Sequence, residues 1–216
     1  MNEFDARTEI CRIGASLFSR GYVHGTTGNI SIRLDNGYLV TPTDASLGRL
    51  EPEALSLLDA AGNHVSGERP SKTIVLHRRI YDADPAAKCV IHTHSRELVA
   101  ASLAHTGPAS EFLPPITPYF VMKVGRVPLI PYFTPGSAEA ADLVHDAIIA
   151  AKESGAPIRS VMLDRLGPNV WHASPASAMA TLEELEETAF LWNRTRPSGL
   201  AESSINELRE RFGAHW

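Results

Sequence analysis

A chain of 216 residues is long enough to bury a full hydrophobic core, and 44% hydrophobic with 21% charged residues is the balance of a globular protein. A net charge of −5 argues against nucleic acid or an anionic membrane surface as the main partner. No run of eighteen apolar residues occurs, and the acidic start MNEFDARTEI lacks a signal-peptide core, so the expectation is a cytoplasmic protein.

In chain order, residues 5–20 carry Ile10, Ile13, Leu17 and Phe18 at helical spacing, with Gly21 as a stop. NISIRLDNGYLVTPT alternates Ile30, Ile32 and Leu34, turns at Asp35-Asn36-Gly37 and resumes with Tyr38 to Val40, a hairpin signal. A helix is expected from about Ser71 until Pro85 ends it. AKCVIHTHS reads as a buried strand, RELVAASLAH as the helix behind it, and RVPLIPYF as a short strand between turns. AEAADLVHDAIIAAKES is an amphipathic helix ending near Gly155. RSVMLDRLGPNVWHAS forms two strands broken at Gly167-Pro168. Ser174 caps a long helix with Pro175 in its first turn, and SSINELRERF is a last helix. Hairpins mixed with helices imply an α/β chain on a mainly antiparallel sheet. No repeat, low-complexity tract or long linker divides it, so residues 1–216 are expected to form one domain. Cys11 and Cys89 sit in apolar periodic segments and read as buried free thiols.

The stretch CVIHTHSRE places His92 and His94 one residue apart at the end of an apolar run. Residues i and i+2 of a strand share a face, roughly 7 Å apart, so both imidazoles can converge on one divalent ion. The same pattern also arises from one packed and one surface histidine. A catalytic metal further needs a third protein ligand while one position stays open.

The segments GYVHGTTGNISIRL, LVTPTDASLGRL, GERPSKTIVLHRRIY, AKCVIHTHS, LPPITPYFVMKVGRVPLIPYFTPGS, LDRLGPNVWHAS and LEELEETAFL together resemble the class II aldolase/adducin family over nearly the whole chain. CRIGASLF, TPYFVMKVGRVPLIPYF and the PSK tripeptide are most similar to its 3-oxo-tetronate 4-phosphate decarboxylase branch. The resemblance implies a three-layer α/β fold, its central mainly antiparallel sheet flanked by helices, in a homotetramer with sites at subunit interfaces. It implies a small-molecule substrate and a divalent metal, usually zinc. His92 and His94 match two metal ligands; the third, the histidine of an NHGP segment, falls on Leu166. The catalytic glutamate after PSK falls on Thr73, whose hydroxyl cannot serve as a base near neutral pH. The phosphate cradle matches at Asn29, Thr43, Ser71 and Lys72, but its glycine is Asp44. There a carboxylate either opposes a phosphate, by about 1–4 kcal/mol at 4 Å per charge pair, or turns outward and caps the turn. Tyr119 matches an aromatic hydroxyl that related aldolases lend to a neighbouring subunit, and it reads equally as a packed interface residue.

Three substitutions on the site, with turns and core motifs kept, suggest repurposing or loss of the original chemistry. Asp164, His172 and His77 are the available substitutes for the third ligand. The expectation is a diverged lyase cleaving a carbon–carbon bond of a small oxo-acid or sugar-acid. A metal-poor enzyme on an unphosphorylated substrate and a non-catalytic, adducin-like scaffold are the alternatives.

Overall fold

The computed structural model describes residues 1–216. The helices are α1 (Glu3–Ser19), α2 (Ile74–Ala83), α3 (Arg96–Leu103), α4 (Ala138–Glu153), α5 (Pro175–Thr195) and α6 (Glu202–Phe212). The strands are β1 (Asn29–Leu34), β2 (Gly37–Val40), β3 (Ser56–Asp59), β4 (His64–Ser66), β5 (Cys89–His92), β6 (Leu129–Ile130), β7 (Ser160–Leu163) and β8 (Gly167–His172). All eight strands join one sheet in the order β4-β3-β2-β1-β5-β8-β7-β6, with only the β6–β7 pair parallel. No helix is long and apolar enough to cross a membrane.

Alternation along the central strands divides the buried residues between two faces. Ile30, Ile32, Cys89, Ile91 and Val170 pack in one core with side chains of α1, α3 and α5. Val90, Val161 and Trp171 pack in the other with Ile80 and Tyr81 of α2 and Val144 and Ile148 of α4. On that second face the register sets two rows across the strands: the polar Asn29, His92 and Asn169 in one, Ser31, Val90 and Trp171 in the next.

Several boundaries differ from the sequence reading. The first helix begins earlier, because the Asn2 side chain accepts the Asp5 N–H at 2.8 Å and caps it. Helix α2 starts at Ile74, after a turn at Ser71–Thr73. The β3–β4 hairpin escaped notice because β4 is exposed throughout and lacks an apolar alternation. Gly167 and Pro168 belong to β8; the break lies earlier, at Asp164–Leu166, where Arg165 has φ +62°. Strand β5 stops at His92, so His94 lies beyond it, just ahead of the α3 N-cap Ser95. Cys11 is half-buried and only Cys89 fully so, both as free thiols.

The long helix α5 holds this junction. The Glu186 carboxylate, 6% exposed, accepts the N–H groups of Glu97 and Leu98 at 3.1 and 3.3 Å. It thereby caps α3 from outside and fixes the start of the helix next to His94.

Gly167 fixes the other side of the junction. Its φ is +143°, and an added Cβ would lie 1.9 Å from the carbonyl oxygen of Thr93. Gly155 also has a positive φ, +77°, but nothing lies within 4 Å of its added Cβ. Gly155→Ala is therefore expected to cost about 1 kcal/mol, and Gly167→Ala roughly 2–4 kcal/mol, in urea-unfolding free energy. Equal losses would show that the contact between Gly167 and Thr93 is not the constraint.

Candidate functional site

A cleft of about 470 Å³ opens beside the row Asn29–His92–Asn169. Its wall combines the end of the sheet, the Pro42–Asp44 turn, the Ser71–Thr73 turn before α2, and the loop from Pro131 to Ser137. Of the residues singled out from sequence, Asn29, Thr43, Asp44, Ser71, Lys72, Thr73, His92 and His94 all line it, and so does Leu166. Tyr119 does not: it is 59% exposed and lies elsewhere on the surface.

His92 is 4% exposed and its ring donates through Nδ1–H to the carbonyl oxygen of Pro168 at 2.9 Å. A carbonyl can only accept, so the bond fixes the tautomer and leaves Nε2 with its lone pair. Burial, and then the neighbouring His94, lower its pKa to about 3, against a smaller opposing effect of the Pro168 bond. His94 is also lowered, by burial first and by the charge of His24 second. The two rings meet edge-on with centroids 5.0 Å apart. Near neutrality the pair therefore presents uncharged nitrogen bases.

That is the protonation state a metal requires. The donor set is nevertheless one short. No group of three His, Cys, Asp or Glu side chains comes together anywhere in the structure. Leu166, at the position of the third ligand, offers only an apolar side chain. Asp164 does not line the cleft, and its carboxylate lies 3.6 Å from the Arg165 guanidinium. His172 pairs with Cys89, three residues along β8 from Asn169 and so on the opposite face; its Nδ1 accepts the Ala173 N–H. His77 is wholly buried behind the cleft wall, with Nδ1 at 2.8 Å from Ser31 Oγ. None replaces the missing ligand. The residues present fit two imidazole donors and do not fit a three-ligand zinc centre.

Behind that wall His77 keeps a neutral ring. Tyr81 donates its hydroxyl to the Ser31 carbonyl at 3.0 Å, so the Ser31 hydroxyl donates to Tyr81 and accepts from His77 Nδ1–H. Burial, and less so His92, lower the His77 pKa to about 3.

The opposite end of the cleft is cationic and rich in hydroxyls. Arg69 and Lys72 bring two positive charges against the one negative charge of Asp44. Asp44 has φ +56°, is exposed, and is among the residues that line the cleft. A non-glycine residue in the left-handed region is what a glycine position leaves behind. Thr73 Oγ1 lies 2.8 Å from Ser71 Oγ and does not cap α2. The hydroxyl is thus tied to its neighbour at the cleft wall, consistent with a binding role and not with proton abstraction.

Sequence reasoning missed Arg69, the Pro131–Ser137 wall and Asn169. Arg69 stands two residues before Ser71 and could have been added to the cradle on charge alone. The loop wall carries no chemical motif. Asn169 sits between a proline and two apolar residues of a strand, where only the β5–β8 register reveals that it faces His92.

Residues 8–192 match the class II aldolase and adducin N-terminal domain. A protein of Cupriavidus necator named 3-oxo-tetronate 4-phosphate decarboxylase is 49% identical, over 99% of each chain. One of the same name from Haemophilus influenzae is 38% identical, over 98% of this chain and 99% of its own. Among solved structures, YgbL of Escherichia coli, titled an aldolase/epimerase/decarboxylase, superposes with a TM-score of 0.85 at 37% identity, covering 96% of this chain and 99% of YgbL. An L-fuculose 1-phosphate aldolase superposes with a TM-score of 0.79 at 22% identity, over 97% of this chain and 96% of its own, a likeness of fold. With the eight-stranded sheet and the family model agreeing over this much of its length, the chain belongs to the class II aldolase/adducin family.

Proposed function

We propose that the protein is a carbon–carbon lyase that decarboxylates a four-carbon 3-oxo sugar-acid phosphate. The carrying observation is that a hydroxyl- and cation-lined end and a pair of neutral imidazoles share one cleft. The 49% identity to a 3-oxo-tetronate 4-phosphate decarboxylase supports the substrate. In this reading Thr43, Ser71 and Lys72, with Asn29 and Arg69, hold the phosphate through hydroxyl, amide and cationic donors. The oxo-acid end then reaches the sheet edge at His92 and His94.

Decarboxylation suits the residues at hand. The bond between the carboxylate and its neighbouring carbon breaks, carbon dioxide leaves, and the electron pair flows into an enolate whose oxygen was the 3-carbonyl. No carbon-bound proton has to be removed beforehand, so a threonine at position 73 is tolerable. An aldol addition would need a base there, which Thr73 is not. The enolate carbon afterwards takes its proton from water.

Enzymes of this family typically depend on a divalent metal. Such an ion, zinc by the resemblance, would be held here by His92 and His94 and would supply Lewis-acid polarisation of the carbonyl. Two imidazoles bind more weakly than three ligands. Purified protein is expected to carry zinc or manganese well below one ion per chain by elemental analysis, and His92→Ala less still. A tight, stoichiometric ion would mean that a third donor has been overlooked.

We also propose a homotetramer in which Tyr119 reaches a neighbour's cleft. Its 59% exposure, away from its own cleft, supports this. The surrounding segment offers less apolar surface than FLPPITPYFVMKVG suggests, since Phe112, Leu113, Phe120, Val121 and Val124 are buried within the protomer. Light scattering at micromolar concentration should give four times the chain mass; a monomer there defeats the assembly.

Asp44 favours one second reading, an unphosphorylated substrate. Carbon dioxide release from 3-oxo-tetronate 4-phosphate separates the two. Wild type turns this compound over under the first reading and is slow under the second; in either case Thr73→Glu with Leu166→His should raise metal content. Adding Asp44→Gly removes a charge that opposes the phosphate, by about 1–4 kcal/mol at 4 Å per charge pair, and should then raise turnover of this substrate further. A triple variant that binds metal but stays inactive would favour the unphosphorylated substrate. Ordinary enzyme rates in the wild type would show that the three departures did not impair the site.

A further inference from the structure

The floor of the cleft contains a carboxamide with nothing to bind. Asn169 is 1% exposed, lines the cleft, and faces His92 across the β5–β8 pair. Directly opposed residues of adjacent strands hold their Cβ atoms about 4.5–5.5 Å apart, so the carboxamide and the imidazole are immediate neighbours. Its Nδ2 is buried without an acceptor inside the protein. A buried donor with no partner costs stability, and a hydrophobic residue of similar size would avoid that cost. Val161, the next residue in the same row, is such a residue.

Nothing holds the carboxamide in its present orientation. Its oxygen and nitrogen exchange places by a half-turn of the amide. That turn presents Nδ2–H to the cleft and moves the oxygen to the enclosed side. The Trp171 indole, on the same face two residues along β8, has a buried N–H that also lacks an acceptor. The half-turned amide thus offers its own donor to a ligand and turns its oxygen toward the buried side of the sheet. At 1% exposure the carboxamide is almost wholly withdrawn from water, which strengthens a hydrogen bond formed there.

His92 cannot fill this role, because its only ring N–H is committed to the Pro168 carbonyl. We propose that Asn169 is a catalytic residue, donating Nδ2–H to the carbonyl oxygen of the oxo-acid and holding that oxygen as it becomes an enolate. The proposal rests on the decarboxylase reading. The carbon–carbon bond breaks to release carbon dioxide, its electron pair becomes the enolate double bond, and the carbonyl pair moves onto the oxygen beside Asn169. Water then protonates the enolate carbon, returning the ketone and leaving hydroxide. A donor aimed where negative charge develops acts chiefly on kcat.

The test compares full-length wild type with Asn169→Val, Asn169→Asp and Asn169→Gln. Each is assayed for carbon dioxide release from 3-oxo-tetronate 4-phosphate, for bound metal by elemental analysis, and for melting temperature. Asn169→Val and Asn169→Asp are expected to lower kcat about 10²–10³-fold, with KM changed only a few-fold and metal content unchanged. Asn169→Gln, which keeps the donor on a longer arm, should recover part of the rate. Asn169→Val should melt no lower than wild type, because it removes a buried unpaired donor. A kcat within threefold of wild type in Asn169→Val overturns the proposal and makes the residue packing alone. Parallel loss of metal and rate also overturns it, because the carboxamide would then be a ligand. A calorimetric arm uses phosphoglycolohydroxamate, whose planar hydroxamate imitates the enolate and does not react. Binding weakened at least tenfold by Asn169→Val supports the donor even if wild type fails to turn over the oxo-acid, in which case only the substrate assignment falls. Equal binding by both, or none by wild type, overturns it.

Discussion

The pairing of β5 with β8 is the constraint from which the site follows. It lays Asn169 against His92, and it brings Gly167 so close to Thr93 that no side chain fits between them. The same junction sets the carbonyl of Pro168 beneath the His92 ring, where it selects the tautomer. A proline is apt at the start of β8: it has no N–H to satisfy, and its carbonyl accepts both the His92 ring N–H and, at 3.4 Å, the Thr93 N–H. Glu186 of α5 closes the arrangement from the far side by capping the helix that begins after His94. Backbone, tautomer and helix entry are thus settled by contacts that lie outside the cleft itself.

Such a frame explains how side chains of the site can change while the fold does not. Leu166 occupies the turn between β7 and β8, Thr73 the turn before α2, and Asp44 a left-handed position in the turn after β2. None of the three lies within a strand or a helix. Their replacement alters what the cleft offers to a ligand, and only Leu166, which packs against the second core, also touches the interior. Asp44 is the instructive case, because an aspartate is held at φ +56°, a conformation worth about 1–2 kcal/mol of strain outside glycine. The backbone there has kept the shape that a glycine allows, although the residue now adds a charge to the cleft lining.

How much of this was legible in the sequence depends on the range of the signal. Caps, periodicities and breakers are local, and they located α4, α5 and the β1–β2 hairpin within a few residues. Asn29, Thr43, Asp44, Ser71, Lys72, Thr73, His92 and His94 were legible through family motifs, and all line one cleft. What was not legible is pairing. Asp164 and His172 looked like substitutes for a third ligand because they flank Leu166 in the chain. The register puts His172 on the opposite face, and Asp164 stands outside the cleft. Asn169 went unnoticed for the converse reason: its neighbours in sequence are unremarkable, while its neighbour across the sheet is His92. The exposed β4 strand was missed since its edge position demands no apolar pattern.

Uncharged imidazoles in the cleft and behind its wall bear on which chemistry the site favours. Burial holds both His92 and His77 near a pKa of 3, so protonating either at neutral pH would cost several kcal/mol. They are therefore poor acids under ordinary conditions, and Thr73 is a poor base. A reaction that needed a proton moved before its carbon–carbon bond broke would find no agent for that step among these three residues. A reaction that begins with bond cleavage asks first for a place to put the electron pair. Neutral hydrogen-bond donors can answer that demand without changing their own charge, and where they are buried they act more strongly than they would in water. The polar row beneath the cleft, with its unpaired carboxamides, is the part of the molecule whose composition best matches that requirement.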